Sequence, residues 1–435
     1  MKNQKNILAK FGIEQLNPMQ EDAQLAIHSV KNTLVLSPTG SGKTLAFLLP
    51  LVAQINTDLQ ELQVLVIVPT RELALQIEQV VREMGAGIKA HAFYGGRNFV
   101  KDREELNTTP QLIIGTPGRI GDHLKRSTID LKKLQAIVLD EFDKSLEIGF
   151  ESEMKEIFHF LPLKIKKILT SATQGVEVPQ FVKFQDPAII NNLEKHNKKL
   201  SVEIIVSQEK DKINTLIDTL HHLQGQPGII FLNFKDSIQR VSDQLEHEGI
   251  GHGCFYGGLE QQERERSLIK FRNGSHQLLL ATDLAARGLD IPEIKFIIHY
   301  HLPLKAEEFT HRNGRTARMH NEGIAYVIKW KEEYLPDFIE NNHFAKIPEP
   351  DYPLKFHPSE WKTVFLSGGR KDKISKGDLA GFFYKNLNLP ENSLGTIELK
   401  TDCSFVAIKT TYLKEAIAKL NGLKLKKRKI RIYEI

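Results

Sequence analysis

Ser37-Pro38-Thr39-Gly40-Ser41-Gly42-Lys43-Thr44 stands between a β-branched apolar run, Thr33-Leu34-Val35-Leu36, and a segment of helical periodicity. A turn of such small residues lets backbone N–H groups wrap phosphate at a helix N-terminus, where the helix dipole favours negative charge. The chain must then supply a buried strand before the turn and a helix after it. That combination predicts an open parallel α/β sheet, with its ligand at the carboxyl ends of the strands. Lys43 is expected to neutralise the β- and γ-phosphates and Thr44 to hold Mg²⁺, with Ser37, Pro38, Thr39, Gly40, Ser41 and Gly42 forming the cradle.

The rest of the chain keeps the same rhythm. Val64–Val68, Gln111–Ile114 and Ala136–Leu139 read as buried strands, and 43–55, 71–84 and 151–160 as helices. The pattern restarts after residue 200, with strands at Val202–Val206, Ile229–Leu232, Leu278–Leu280 and Phe296–His299. Helices are expected near 211–222, 235–248 and 260–272. Prolines 348, 350, 353 and 358 mark a linker, followed by a small α+β pattern. The expected fold class is α/β: two tandem parallel-sheet domains, 1–200 and 201–346, a linker at 347–360, and a small α+β domain at 361–435.

A carboxylate group, Asp140-Glu141-Phe142-Asp143, ends the run Ile137-Val138-Leu139. Placed beside a phosphate loop, Asp140 suits the metal, and Glu141 suits the attacking water as base or positioner.

These segments belong to an ordered series. Pro69-Thr70-Arg71-Glu72-Leu73, Gly95-Gly96, Thr116-Pro117-Gly118-Arg119 and Ser171-Ala172-Thr173 lie in the first half. Gln261-Gln262-Glu263-Arg264, Ala281-Thr282-Asp283-Leu284-Ala285-Ala286-Arg287-Gly288-Leu289-Asp290 and His311-Arg312-Asn313-Gly314-Arg315-Thr316-Ala317-Arg318 lie in the second. The series resembles the motif set of the DEAD-box RNA helicases over about residues 10–330. That resemblance implies two RecA-like domains binding ATP and single-stranded RNA. It implies that Gln20 reads the adenine edge and that, with Ile13 where the family has an aromatic residue, the base packs on that aliphatic face or on nearby Phe11. Gly288 and Asp290 would contact nucleotide, and Arg315 and Arg318 would serve as arginine fingers on the γ-phosphate. Asp143, Ser171, Thr173 and His311 would couple hydrolysis to strand separation. RNA contacts would fall to Thr70, Arg71, Gly96, Thr116 and Arg119, then to Gln261, Arg264 and Thr282. Phe142, which makes the second motif Asp-Glu-Phe-Asp, is expected to alter only local packing.

The net charge of +5 is unevenly spread. Residues 361–435 hold 16 Lys+Arg against 7 Asp+Glu, whereas the remaining 360 residues are slightly acidic. A polyanion partner is therefore expected at the tail. Phe365 and Phe405 fall where a sheet of the RNA-recognition-motif (RRM) kind presents stacking aromatics, although both also suit a core. The run Lys424–Arg431 has six basic residues in eight. Residues 368–378 are similar to the tail of DbpA-type helicases, which implies an RRM-like RNA-binding domain. Its contacts would include Arg370, Lys371 and Lys373, and its target would be 23S-type large-subunit ribosomal RNA in pre-ribosomal particles. General RNA remodelling, mRNA turnover, an ATP-gated RNA clamp and a DNA helicase remain open as alternatives. Two distant cysteines, the lack of an apolar leader and the shortness of the longest apolar stretch point to a cytoplasmic protein without a membrane partner.

Overall fold

The computed structural model describes residues 4–38, 40–173, 177–193, 200–223, 225–283, 294–316, 323–339, 343–345 and 356–435. The chain divides into two compact units at a boundary near residue 198.

The first unit runs α1 (Gln4–Lys10), α2 (Pro18–Ser29), β1 (Asn32–Leu36), α3 (Lys43–Gln54), β2 (Val64–Ile67), α4 (Arg71–Met84), β3 (Ala90–Phe93) and α5 (Phe99–Leu106). It continues with β4 (Leu112–Gly115), α6 (Pro117–Lys125), β5 (Ala136–Leu139), α7 (Phe142–Glu147), α8 (Glu151–Phe160), β6 (Lys166–Ser171) and β7 (Ala188–Asn191). Its seven strands pair in parallel in the order β3-β4-β2-β5-β6-β1-β7. Four-residue strands such as Val-Leu-Val-Ile and Leu-Ile-Ile-Gly are buried throughout because helices cover both sheet faces. α4 shows how local sequence fixes such a helix. The Thr70 hydroxyl accepts the Leu73 N–H, Gly85 ends the helix at φ 57°, and Leu73, Ala74, Ile77, Val81 and Met84 face the core.

The second unit begins with β8 (Leu200–Ser207), α9 (Ile213–His222), β9 (Gly228–Phe231), α10 (Lys235–His247), β10 (His252–Phe255) and α11 (Gln261–Arg272). β11 (Leu278–Ala281), β12 (Phe296–His299), α12 (Ala306–Asn313), β13 (Gly323–Trp330) and β14 (His343–Phe344) complete a second parallel sheet, ordered β10-β11-β9-β12-β13-β8-β14. Both halves are thus parallel-sheet domains of the expected class. Strands β3, β6, β7, β10, β13 and β14 add to the expected ones, β13 being a long apolar run, Ile324–Ile328, that the expected set leaves out.

The tail packs in the same unit. It comprises β15 (Trp361–Leu366), α13 (Lys376–Leu387), β16 (Leu394–Leu399), β17 (Ser404–Lys409), α14 (Leu413–Leu420), β18 (Lys424–Leu425), β19 (Arg428–Lys429) and β20 (Ile432–Glu434). An antiparallel sheet, β16-β17-β15-β20, lays one face on α13 and α14 around Val364, Leu366, Phe383, Val406 and Ile408. The basic run makes a tight β18–β19 hairpin before β20. Lys426 turns it at φ 55°, while Leu425 and Ile430 anchor it in the core.

Phe142 is 1% exposed and packs among Leu139, Leu169, Met154 and Val182. Phe142→Ala should therefore destabilise the first unit by about 3–5 kcal/mol, read by urea unfolding.

Candidate active site

The site residues of the first unit gather where β5, β6 and β1 end side by side. β1 is followed by the phosphate loop. Ser37 is fully buried, and its N–H extends the ladder to the Ser171 carbonyl at 3.1 Å. Gly40 and Gly42 have φ of 80° and 87°, and a Cβ on Gly42 would lie 2.3 Å from Gln20 Nε2, so glycine is required there. Lys43 folds back over the loop, with Nζ donating to the Ser37 and Pro38 carbonyls at 2.5 and 2.9 Å. Ser41 Oγ donates to the Pro38 carbonyl at 2.7 Å. Thr39 lies outside the described residues.

α2 braces this loop through its own cap. Asn17 and Gln20 form a reciprocal capping box: the Asn17 side chain accepts the Gln20 N–H at 2.9 Å, and Gln20 Oε1 accepts the Asn17 N–H at 3.0 Å. The spare amide of Asn17 donates to the Ser41 carbonyl at 3.1 Å, and that of Gln20 to the Gly42 carbonyl at 3.2 Å. Ile13, with Phe11 nearby, packs half-buried against the adjoining core.

Across the sheet, Asp140 is 3% exposed and follows β5 directly. Burial pushes its carboxyl above the usual carboxylate range, opposed by the Thr170 hydroxyl and by Lys43. Glu141 comes next, in a left-handed conformation. Asp143 turns toward β6, where Oδ2 accepts the Thr173 hydroxyl at 2.8 Å, and Ser171 Oγ accepts the Thr173 N–H at 3.0 Å. The second acidic motif and the Ser-Ala-Thr turn are therefore one hydrogen-bonded piece.

Three further loops lie at the ends of β2, β3 and β4. Thr70 Oγ1 caps α4, and Thr116 precedes α6 with its N–H on the Phe93 carbonyl at 3.1 Å. Gly96, at φ 83°, lies under the Arg71 guanidinium, where a Cβ would come 2.9 Å from Nη1. Arg119 is held inward: Nε donates to Asp102 Oδ2 at 2.7 Å, Nη2 donates to the Arg97 carbonyl at 2.8 Å, and the group stacks over Phe99. Asp102 is fully buried and also meets Arg97 at 3.0 Å and His123 at 3.2 Å. Nothing in the run Lys101-Asp102-Arg103-Glu104-Glu105 distinguishes Asp102 from a solvated charge, so sequence reasoning missed it.

In the second unit, Gln261 opens α11, Arg264 stacks over Phe255 at 4.8 Å, and the Thr282 N–H reaches the Phe255 carbonyl at 3.4 Å. His311 and Arg315 are buried around α12. Gly288, Asp290 and Arg318 lie outside the described residues. A second omission from the sequence reading is Arg312, which is 1% exposed. Its guanidinium makes a bidentate pair with Asp283, with Nε donating to Oδ1 at 2.6 Å and Nη2 to Oδ2 at 2.5 Å. It also donates to Asn233 Oδ1 and the His301 carbonyl, both at 2.8 Å. Burial, with Arg312 adding repulsion, pushes His299 down to about 3, so the ring stays neutral against Asn313 Oδ1 at 3.0 Å.

The tail presents Arg370, Lys371 and Lys373 beside the β18–β19 hairpin. Asp372 accepts Arg428 at 2.6 Å, and Asp378 pairs with Lys426 at 2.6 Å. The Asp378 carboxyl is drawn down to about 2 by Lys426 and Ser375. These two acids bind the basic segments into one patch that leaves Lys371, Lys373, Lys424, Lys427 and Lys429 exposed. Phe365 and Phe405 do share the open sheet face, 5.6 Å apart, with Tyr433 stacked 4.7 Å from Phe365. Phe405 is nevertheless 6% exposed, and the centre of that face is covered by the end of α11. Ser275 Oγ meets Thr363 Oγ1 at 2.6 Å, and Arg272 pairs with Glu398 at 2.9 Å.

Three family models match the chain: DEAD/DEAH box helicase over residues 17–181, helicase conserved C-terminal domain over 211–320, and DbpA RNA binding domain over 363–434. The chain is 32% identical over 436 residues to the ATP-dependent RNA helicase DbpA of Escherichia coli, spanning 98% of this chain and 95% of that protein. It is 31% identical over 434 residues to its Bacillus subtilis namesake, spanning 92% of this chain and 91% of that one. Among solved structures, S. cerevisiae Dbp5 bound to RNA and ADP BeF3 superposes with a TM-score of 0.68 at 27% identity, covering 75% of this chain and 86% of that chain.

Asp283→Asn removes one partner of a buried ion pair and should cost the second unit about 3–5 kcal/mol in denaturant unfolding.

Proposed function

The chain belongs to the DEAD-box ATP-dependent RNA helicases, in the branch with a DbpA RNA-binding domain, and on that premise we propose that it unwinds large-subunit ribosomal RNA locally during ribosome assembly. It is an ATP hydrolase that binds RNA. The observation that carries the catalytic assignment is that Lys43 follows β1 while Asp140 and Glu141 follow β5, at the same end of a sheet in which only β6 stands between these two strands.

In this reading the backbone N–H groups of residues 37–44 cradle the phosphates. Lys43 leaves the Ser37 and Pro38 carbonyls to meet them, and Glu141 orients the attacking water. The Thr44 hydroxyl and the Asp140 carboxylate are hard oxygen donors next to the loop, a set that suits Mg²⁺, which commonly takes one or two carboxylates plus substrate phosphates. Bound there, the metal supplies charge neutralisation of the phosphates. Gln20 and Ile13 hold the adenine, while Gly288 and Asp290 add nucleotide contacts from the second domain. Arg315 and Arg318 stabilise the charge on the transferring phosphoryl group. The linked pair Asp143 and Thr173, with Ser171 and His311, couples that state to RNA.

RNA lies on Thr70, Arg71, Gly96, Thr116 and Arg119, and on Gln261, Arg264 and Thr282. Glycine and hydroxyl positions admit the sugar–phosphate backbone closely, which favours RNA over DNA without sequence preference. The tail adds the targeting. Arg370, Lys371 and Lys373, joined to the basic hairpin, form the surface for a structured ribosomal element within a pre-ribosomal particle, in the cytoplasm. The proposed domain limits are 1–200, 201–346 and 361–435, with a linker at 347–360. Among the described residues no helix is long and apolar enough to cross a membrane.

Lys43→Ala or Glu141→Gln should abolish RNA-stimulated ATP hydrolysis, measured by phosphate release. Equal stimulation by RNA and DNA of the same length would count against the substrate assignment, and absence of ATP-dependent duplex displacement would favour the clamp. The double variant Lys371→Glu, Lys427→Glu should weaken binding to ribosomal RNA hairpins and lower the log–log salt slope by about 2, leaving ATPase on unstructured RNA intact.

A further inference from the structure

Thr170 has no role in the reading above, yet it is fully buried against the acidic motif. In β6 it follows Leu169, which pairs with Leu139 of β5. Level side chains of neighbouring parallel strands point to the same sheet face, so the Thr170 hydroxyl stands beside Asp140. On its other side the strand partner is Val35, which offers no polar side-chain atom. The hydroxyl uses its one proton on Asp140 Oδ1 and accepts the Glu141 N–H at 3.1 Å. Asp140 Oδ1 shares that same N–H at 3.2 Å, closing a small ring of hydrogen bonds.

Glu141 needs such a ring. Its φ of 48° and ψ of 50° lie in the left-handed region, which a residue with a Cβ occupies only where its surroundings over-determine it. The strained peptide is the one between Asp140 and Glu141, and its N–H is the group that Thr170 holds.

We propose that Thr170 is a positioning residue for ATP hydrolysis: its hydroxyl locks the Asp140–Glu141 peptide so that the Glu141 carboxylate is held ready toward the attacking water. This rests on the role given to Glu141 above. The hydroxyl neither touches nucleotide nor exchanges a proton with it; it sets the backbone from which Glu141 projects. Nucleotide affinity, which depends on the phosphate loop and α2, should be independent of it.

The test compares full-length Thr170→Val, which keeps the branched shape and removes the hydroxyl, with Thr170→Ser, which keeps the hydroxyl. In Thr170→Val the RNA-stimulated kcat should fall about 10–100-fold, with KM for ATP and Kd for ADP unchanged. The amide resonance of Glu141 in ¹⁵N-glutamate-labelled protein should shift. Thr170→Ser should restore both kcat and the resonance. The proposal is overturned if Thr170→Val keeps the wild-type kcat, if serine fails to rescue, or if the loss comes as parallel falls in ADP affinity and melting temperature. Glu141→Gln measured alongside separates two failures. Normal turnover there removes the role of Glu141 itself, whereas an inactive Glu141→Gln beside a fully active Thr170→Val refutes the positioning role alone.

Discussion

The backbone hydrogen bonds aligning β5, β6 and β1 put Leu139 level with Leu169 and Leu36 level with Ser171. Just beyond that register, each strand releases a chemically active segment: the acidic motif, the Ser-Ala-Thr turn and the phosphate loop. A slip of one residue in any pairing would turn the Asp140 or Thr170 side chain to the opposite sheet face. Close packing resists the slip, because Val138, Leu139, Ile168 and Leu169 are at most 1% exposed and each would have to change faces in a filled core. The relative placement of the catalytic groups is thus inherited from core packing.

Buried charge is handled alike in both units. Asp102 gathers Arg97, Arg119 and His123 around the loops of the first unit, and Asp283 takes Arg312 in a two-point grip in the second. Such charges are tolerated only when paired and hydrogen-bonded, and removal of one partner is costly. The first network ties α5 to α6, and the second ties α12 to the segment that follows β11. Arg119 is aimed by Asp102 and Phe99 together, which limits its guanidinium to one orientation.

The tail divides its surfaces differently from a free sheet. The middle of its open face meets the end of α11 through Thr363 and Glu398, and Phe405 is buried. The lysines remain outward along one edge, where Asp372 and Asp378 bind two separate basic segments together. Seven acids among sixteen bases in this region are therefore not mere dilution of charge, since two of them assemble the patch.

The amino-acid sequence alone determined the parallel α/β class, the phosphate loop, the acidic motif and the basic character of the tail. All of these rest on local signals: apolar runs of four or five residues, a small-residue turn before a helix, and charge density. Strands such as Ala-His-Ala-Phe and His-Gly-Cys-Phe escaped notice because their strand character comes from distant neighbours. The same limit hid Thr170, Asp102 and Arg312. Thr170 reads as one polar residue ending an apolar run, and its partner Asp140 lies 30 positions away. Arg312 sits among other arginines of the same local appearance, 29 residues from Asp283. Only the tertiary structure could decide these pairings, because side-chain hydrogen bonds depend on which strands lie abreast, and sheet order does not follow chain order.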